Sequence, residues 1–436
     1  MPTDPARLVC FDVLRAVADG DAYANLELSR LLRERRLTGR DAALATELVG
    51  GTLRLRGAYD AVIDQLVDRP LDEPVRDALR MGAHQLLSMR VPTHAAVATT
   101  VDLVKKRIGH RPSGLVNAVL RRIAGRTFEE WLADRPLPER FSHPAWIVTE
   151  LERALQRPDE LEALLRADNE RPGVTLVARP GLASREELGG SPLDISPYAV
   201  ALESGDPGAL VAVREGRAGV QDAGSQLVAV LAARADADGR DEHWLDVCAG
   251  PGGKAALLAA LAAERGARLL ANERQPHRAR LVAQAVRASA DGVRGVVVAD
   301  GTRPAWPETS FDRVLVDAPC SGLGALRRRP ESRWRRTLGD LDDLVPLQVS
   351  LLDSAVGAAR PGGVIIYATC SPVVAETAGV VTEILARRPD VALEPAVGLL
   401  EGVNDAESAH LPGAVQLWPH RHGTDAMFVA LLRRTR

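Results

Sequence analysis

Cysteine is scarce in this sequence: four residues in 436, at positions 10, 248, 320 and 370. They lie far apart, with no CxxC pair and no Cys/His cluster at the spacings that hold zinc, so no metal is expected. No run of about 18 apolar residues occurs. The opening MPTDPARLVCFDVLRAVADG also lacks a basic stretch followed by an unbroken apolar one. Neither membrane insertion nor secretion is expected, and the expected location is the cytoplasm, where thiols stay reduced and serve packing or catalysis. Charge of one sign is lacking too: the formal net charge is −3. That argues against whole-surface attraction to polyanions while permitting local basic patches. No short-period repeat or low-complexity tract stands out.

What is present divides the chain. At 436 residues, 46% of them hydrophobic and 26% charged, it is too long for one core. From Ala6 to Ile123 apolar residues recur at helical spacing, in VCFDVLRAV, LELSRLL, ELVGGTLRLRGAYDAVIDQLV, VRDALRMGAHQLLSM and AAVATTVDLVKK. Breaks at Gly20, Thr38-Gly39, Pro70, Pro92 and Pro112 give about six helices and no strand, hence an all-α domain over residues 1–126. Residues 127–144, TFEEWLADRPLPERFSHP, are rich in proline and poor in periodicity and are expected to be a linker. Residues 145–219 suggest two short helices and short strands around GVTLVARP, a small α+β subdomain. From residue 220 to 436 the apolar runs WLDVC, RLLANE, GVVVAD, DRVLVDAPC and GVIIYATC alternate with helical segments. That alternation specifies a parallel sheet covered on both faces, which binds ligands beyond the carboxyl ends of its strands. Cys248, Cys320 and Cys370 all fall at such ends.

The loop CAGPGGKA, Cys248 to Ala255, follows the strand WLDV and opens a helix, so its backbone N–H groups face the cleft. A Walker A loop is disfavoured, because Cys248 stands at its first glycine and Ala255 where Ser or Thr would follow the lysine. Gly250, Gly252 and Ala255 match the dinucleotide fingerprint, with Glu273 about 20 residues on as the ribose acid. S-adenosylmethionine needs the same close backbone approach and the same carboxylate. Asp300, in VVVADGT, is then a candidate for the adenine amino group.

The downstream loops separate these options. VDAPCSGLG places Asp317 and Cys320 at the fourth strand end, and ATCS places Cys370 at the fifth. Two thiols and an acid suit methylation of an unactivated pyrimidine carbon, where a thiolate must first add to carbon 6 of the ring to make carbon 5 nucleophilic. Hydride transfer needs no such pair. Spacing alone does not choose between the two thiols. Cys10, on an apolar helical face, and Cys248, at the start of a crowded turn, read as packing.

QDAGSQLV, LDVCAGPGGKA, VDAPCSGLGALRRRPESRW and YATCS together resemble the RNA 5-methylcytosine methyltransferases of the NOL/NOP/Sun family over about residues 145–436. RMGAHQLLSMRVPTHAAV and LVNAVLRRI resemble the NusB-like RNA-binding domain. The resemblance implies a Rossmann-like, mostly parallel seven-stranded α/β methyltransferase domain behind an all-α NusB-like domain, acting as a monomer on a cytosine of 16S rRNA. It implies Cys370 as the nucleophile and Cys320 as the thiol that assists product release. It further implies that Cys248, Ala249, Gly250, Pro251, Gly252, Gly253, Lys254, Glu273, Asp300 and Asp317 line the S-adenosylmethionine pocket, with Arg278 a further contact. Asp317, with Lys254 nearby, is expected to hold the ring nitrogen 3 edge of the base.

Two basic regions are candidate RNA contacts. Residues 1–126 carry 20 Lys+Arg against 15 Asp+Glu, and RRRPESRWRR, Arg327 to Arg336, holds six arginines against one glutamate. The second is expected to be an RNA-phosphate surface on which Trp334 packs or stacks. Ala255, Thr377 and Ala426-Met427 depart from the family pattern, where threonine, asparagine and Gly-Phe are usual. Open alternatives are another RNA target, such as transfer RNA or a different ribosomal position, or an inactive RNA-binding assembly factor.

Overall fold

The computed structural model describes residues 4–20, 22–89 and 91–435. The chain divides into two compact units. The first comprises Met1–Thr149, Leu165–Arg171 and Leu326–Arg335, and the second Glu150–Leu164, Pro172–Ala325 and Arg336–Arg436.

Seven helices open the first unit: α1 (Pro5–Gly20), α2 (Ala24–Glu34), α3 (Gly39–Arg54), α4 (Arg56–Asp64), α5 (Glu73–Leu87), α6 (Thr93–Arg107) and α7 (Ser113–Ile123). Their periodic apolar faces converge on a core around Leu48, Tyr59, Leu79, Met81, Leu103 and Leu120, all fully buried. Cys10 is buried in that same core, and burial pushes its thiol well above the ordinary range. The run ELVGGTLRLRGAYDAVIDQLV, read as one helix, breaks at Leu55 (φ −101°, ψ 16°). The break leaves the Arg54 carbonyl free to accept from Arg333 Nη1 at 3.0 Å.

The expected linker is also ordered. Helix Phe128–Leu132 is opened by a capping box between Thr127 and Glu130, and Trp131 and Leu132 join the helical core. A second turn, Leu137–Arg140, carries Pro138 near its start, where the missing N–H costs nothing. Proline here starts helices rather than marking an extended tether.

The arginine run is the main correction in this unit. Arg333 is 0% exposed. Its guanidinium donates to the carbonyls of Arg54 (3.0 Å), Ser142 (2.9 Å) and Asp168 (3.2 Å) and to Asn169 Oδ1 (2.8 Å). Burial pulls its pKa down to about 10, with Asp168 opposing, so the group stays charged at neutral pH. Arg335 donates to the carbonyls of Val17 and Ala22. Glu331 is buried and accepts from Ala24 N. Trp334 lies against Gly57, where a Cβ would meet its ring at 2.4 Å, with Arg56 5.5 Å from its centroid. These side chains cross-link the helical unit, and Arg329 is the arginine of the run that is exposed.

The second unit holds two sheets. In the smaller, β1 (Val174–Ala178), β2 (Ser191–Pro192), β3 (Ala199–Leu202) and β4 (Ala218–Val220) run in the order β2-β3-β1-β4, all antiparallel. In the larger, β5 (His243–Asp246), β6 (Arg268–Asn272), β7 (Val293–Val297), β8 (Phe311–Asp317) and β9 (Ala359–Thr369) are parallel. β10 (Val391–Glu394), β11 (Val415–Gln416) and β12 (Phe428–Arg434) complete it. The order is β10-β12-β9-β8-β5-β6-β7, with β11 beside β12 and β12 antiparallel to its neighbours.

Alternate residues of the central strands feed two cores, as the period of two requires. Trp244, Leu315, Val364 and Ile366 pack under helices Ala223–Arg234 and Gly253–Glu264. Leu245, Val314, Val316, Ile365 and Tyr367 pack under helices Asp340–Ala358 and Ala378–Arg387. With both faces covered, the carboxyl edge of the sheet is where polar side chains are free to gather.

Candidate functional site

The ends of the five parallel strands build that edge. One loop leaves β5 and enters the helix Gly253–Glu264. Gly252 adopts φ 113°, and a Cβ there would meet Ala285 Cβ at 2.6 Å. A Cβ on Gly250 would fall 1.9 Å from Glu273 Oε2. These two glycines let the loop lie against the helix Pro276–Ala285 and against the acid after β6. Ala249 N donates to Asn272 O at 2.8 Å, and Pro251 is exposed at the tip. Glu273 is buried, accepts from Gln275 N at 2.9 Å and lies 3.6 Å from Arg278 Nε. Arg278 Nη2 in turn donates to Gly250 O at 2.6 Å, so Arg278 braces the loop from outside.

Asp300 lies three residues past the end of β7 and accepts from Thr302 N (3.0 Å) and Thr302 Oγ1 (2.8 Å). Those bonds hold its carboxyl below the ordinary range. Cys248 is half-buried, and burial, then Asp246, pushes its thiol far up, which suits packing rather than reaction.

The second cluster sits where β8 and β9 end. Cys320 Sγ and Cys370 Sγ are 3.4 Å apart and not joined in a disulfide. Lys254 Nζ donates to Asp317 Oδ2 at 2.9 Å. Burial alone would lower the Lys254 pKa, but the charges of Asp317 and Cys370 outweigh it and the net shift is upward, so the ammonium persists. Contact with Cys370, then burial, keeps the Cys320 thiol protonated well above its ordinary range.

The geometry adds residues that sequence reasoning missed. Asp246, the last residue of β5, is fully buried; Oδ1 accepts from Cys248 N at 3.1 Å, and Oδ2 has no hydrogen-bond partner. Burial, then Asp317, raises its pKa to about 8. An acid at the end of an apolar strand run, two residues before the glycine turn, was the available signal. Asp222, in QDAGS, accepts from Gly224 N (2.9 Å) and Asp425 N (3.1 Å), tying the start of the domain to the loop before β12. Glu376 lies beneath both cysteine loops.

Among the departures, Ala255 is buried in the loop helix. Ala426 N donates to Gly324 O (2.9 Å), and Gly324 N donates to Cys370 O (2.9 Å), so backbone groups carry that contact. Thr377 Oγ1 donates to Val373 O at 2.9 Å and closes the turn that follows Cys370.

The first cluster fits S-adenosylmethionine. Glu273 offers a carboxylate beside the glycine turn, and Asp246 Oδ2, buried and without a hydrogen-bond partner among the described residues, is a polar atom suited to an ammonium or hydroxyl group of the ligand. Comparison with known proteins agrees. Residues 235–433 match the model of the 16S rRNA methyltransferase RsmB/F family, and residues 4–125 match the NusB family. The Mycobacterium tuberculosis protein Rv1407, which carries a methyltransferase name, is 49% identical, covering 99% of this chain and 97% of its own. The ribosomal RNA small subunit methyltransferase B of Salmonella paratyphi A is 36% identical over 83% of this chain and 85% of its own. The crystal structure of PH0851 shares the fold, with TM-score 0.79 at 22% identity, covering 100% of this chain and 99% of that one. On identities of this size over most of its length, the chain belongs to the RsmB/F family of S-adenosylmethionine-dependent rRNA methyltransferases, with a NusB family domain at its N-terminal side.

Proposed function

We propose that this protein methylates carbon 5 of an unpaired cytosine in 16S rRNA, with Cys370 as the attacking thiolate and Cys320 assisting release. The observation that carries the reading is the pair of unbridged thiols 3.4 Å apart, with the Lys254–Asp317 ion pair at the same strand ends. Bound S-adenosylmethionine supplies an electrophilic methyl group. Carbon 5 of cytosine is a weak nucleophile, so the Cys370 thiolate first adds to carbon 6, and the new S–C6 bond places electron density on carbon 5. Asp317 holds the nitrogen 3 edge of the ring, and Lys254 keeps Cys370 ionised. Once carbon 5 carries the methyl group, its proton leaves to a base, the C5–C6 double bond re-forms and the S–C6 bond breaks, returning the Cys370 thiolate. Cys320, touching that sulfur, assists the departure.

Carbon 6 is attacked from above the ring, so the target must be unstacked or flipped. The working unit we propose is a monomer. We place the reaction in the cytoplasm; among the described residues no helix is long and apolar enough to cross a membrane. Two measurements test the reading. Cys370→Ala is expected to abolish methyl transfer, and Cys320→Ala to accumulate an RNA-linked band on denaturing gels. A linked band from Cys370→Ala instead reverses the two roles. Bisulfite sequencing of RNA from a deletion strain is expected to show one unmethylated cytosine in 16S rRNA, and a loss confined to transfer RNA overturns the substrate.

A further inference from the structure

Each of the two site cysteines is followed by a serine, and one buried carboxylate joins the two serines. Glu376 is 0% exposed. Its Oε2 accepts from Ser321 Oγ (2.5 Å) and Ser371 Oγ (2.6 Å), and those hydroxyls are themselves 3.1 Å apart. Its Oε1 accepts from Ser321 N (2.7 Å) and from Gln348 Nε2 (3.0 Å). The same Gln348 amide donates to Pro319 O at 2.9 Å, so the residues on both sides of Cys320 are held. Glu376 is fixed in its turn, because the Tyr367 hydroxyl donates to its carbonyl at 2.7 Å. Ser371 Oγ completes its own set by accepting from Val373 N at 3.2 Å.

Four donors from three segments meeting one buried carboxyl group is a costly arrangement unless the geometry it fixes is needed. We infer that Glu376 is a positioning residue that sets the separation of Cys320 and Cys370 by clamping the loops that carry them. The inference rests on the reading of those cysteines as the reacting pair. Glu376 touches neither sulfur; it acts through the serines, one residue of chain, about 3.8 Å of Cα spacing, from each thiol.

The donors specify which replacement works. The two donors on Oε1 cannot become acceptors, whereas the two hydroxyls on Oε2 can. Glutamine can keep an oxygen at the first position and present its NH2 to the hydroxyls at the second, so Glu376→Gln preserves the clamp without the charge, and Glu376→Ala removes it. The serine double variant Ser321→Ala/Ser371→Ala removes half the clamp while leaving Glu376 bonded to Ser321 N and Gln348, which protects the fold.

The test measures kcat and KM for S-adenosylmethionine together with the rate at which diamide joins Cys320 to Cys370 as a disulfide in the full-length protein. The expected result is a fall in kcat of about 10-fold in the serine double variant and about 100-fold in Glu376→Ala, with KM within 2-fold and disulfide formation slowed in parallel. Glu376→Gln is expected to stay within about 5-fold of wild type in both rates. Wild-type kcat and disulfide rates in the serine double variant overturn the inference. So does a Glu376→Gln protein as slow as Glu376→Ala, since charge rather than position would then matter. If Cys320→Ala yields no RNA-linked band, the nucleophile reading fails instead, while the disulfide rates still report on the clamp.

Discussion

One continuous stretch, VDAPCSGLGALRRRPESRW, supplies two clusters that differ in every respect that matters for function. Its first part places Asp317 and Cys320 at the open end of β8, where Lys254 and Cys370 meet them as half-buried groups with reactive atoms facing one another. Its second part, with Arg335 just beyond it, belongs to the helical unit, where the guanidinium groups of Arg333 and Arg335 are spent mainly on main-chain carbonyls. Residue type made the arginines look like the binding surface, while strand-end placement already marked Cys320 and Cys370 as the candidate pair. Backbone placement reverses the first reading, because a charge already saturated by buried acceptors has little left for phosphate, and it keeps the second, because the strand ends hold both thiols at the edge of the sheet where ligands bind.

If that contrast is right, the largest effect in the molecule is structural. Arg333→Met removes the hydrogen bonds to four acceptors and strips Asp168 of a cationic neighbour. The expected loss is about 3–5 kcal/mol of stability in the helical unit. Hydrogen exchange of amides in α3 and α4, on either side of the Leu55 break, reads it. Protection equal to wild type would return Arg333 to the list of RNA contacts.

The chemical half of the comparison is probed by Lys254→Met, which deletes a cation from the cysteine cluster and leaves the fold standing. A fall in kcat of about 100-fold is expected, equivalent to about 2.7 kcal/mol. The rate of Cys370 alkylation by iodoacetamide should then need a higher pH to reach half its maximum. An unshifted alkylation profile would show that the lysine does not support the thiolate.

How much of this the sequence disclosed follows from the range of each interaction. The helices of the first unit and strands β5 to β9 are legible because periodicity is local, and so are the glycine turn and the acids after β6, β7 and β8. The break at Leu55 is not legible, since its acceptor serves an arginine 279 residues away. Nor is the clamp on the cysteine loops, in which Ser321 and Glu376 are 55 residues apart. Polar residues that bond across the chain look like ordinary loop residues until the partner is placed. Asp246 is an intermediate case, visible as a strand-end acid but not as one buried without a second partner.

Asp246 also gives the comparison a pH signature. Its folded pKa of about 8 lies far above the ordinary carboxyl value, so the folded protein keeps a proton that the unfolded chain has lost. The associated stability is complete below the ordinary carboxyl range and is lost as pH rises toward about 8. Its slope is at most about 1.4 kcal/mol per pH unit. Asp246→Asn should flatten the difference in ligand-free melting temperature between pH 5 and pH 8. A slope unchanged by the substitution would mean that Asp246 ionises normally beside Lys254.

The smallest expected effect separates exposure from charge within the arginine run itself. Arg329 is exposed and lies 5.9 Å from the ring centroid of Tyr23, a contact of the kind worth about 0.5 kcal/mol at a surface. Arg329→Ala should therefore cost no more than that in stability, against several kcal/mol for Arg333→Met four positions on. Its effect on RNA is where the two clusters can still be connected. A guanidinium that is not committed to buried carbonyls remains able to meet a phosphate, and losing one such contact reduces the salt dependence of binding by about one unit of log–log slope. Titration of 16S rRNA fragments at several salt concentrations would read that slope. A slope identical to wild type would mean that the segment's work is wholly internal.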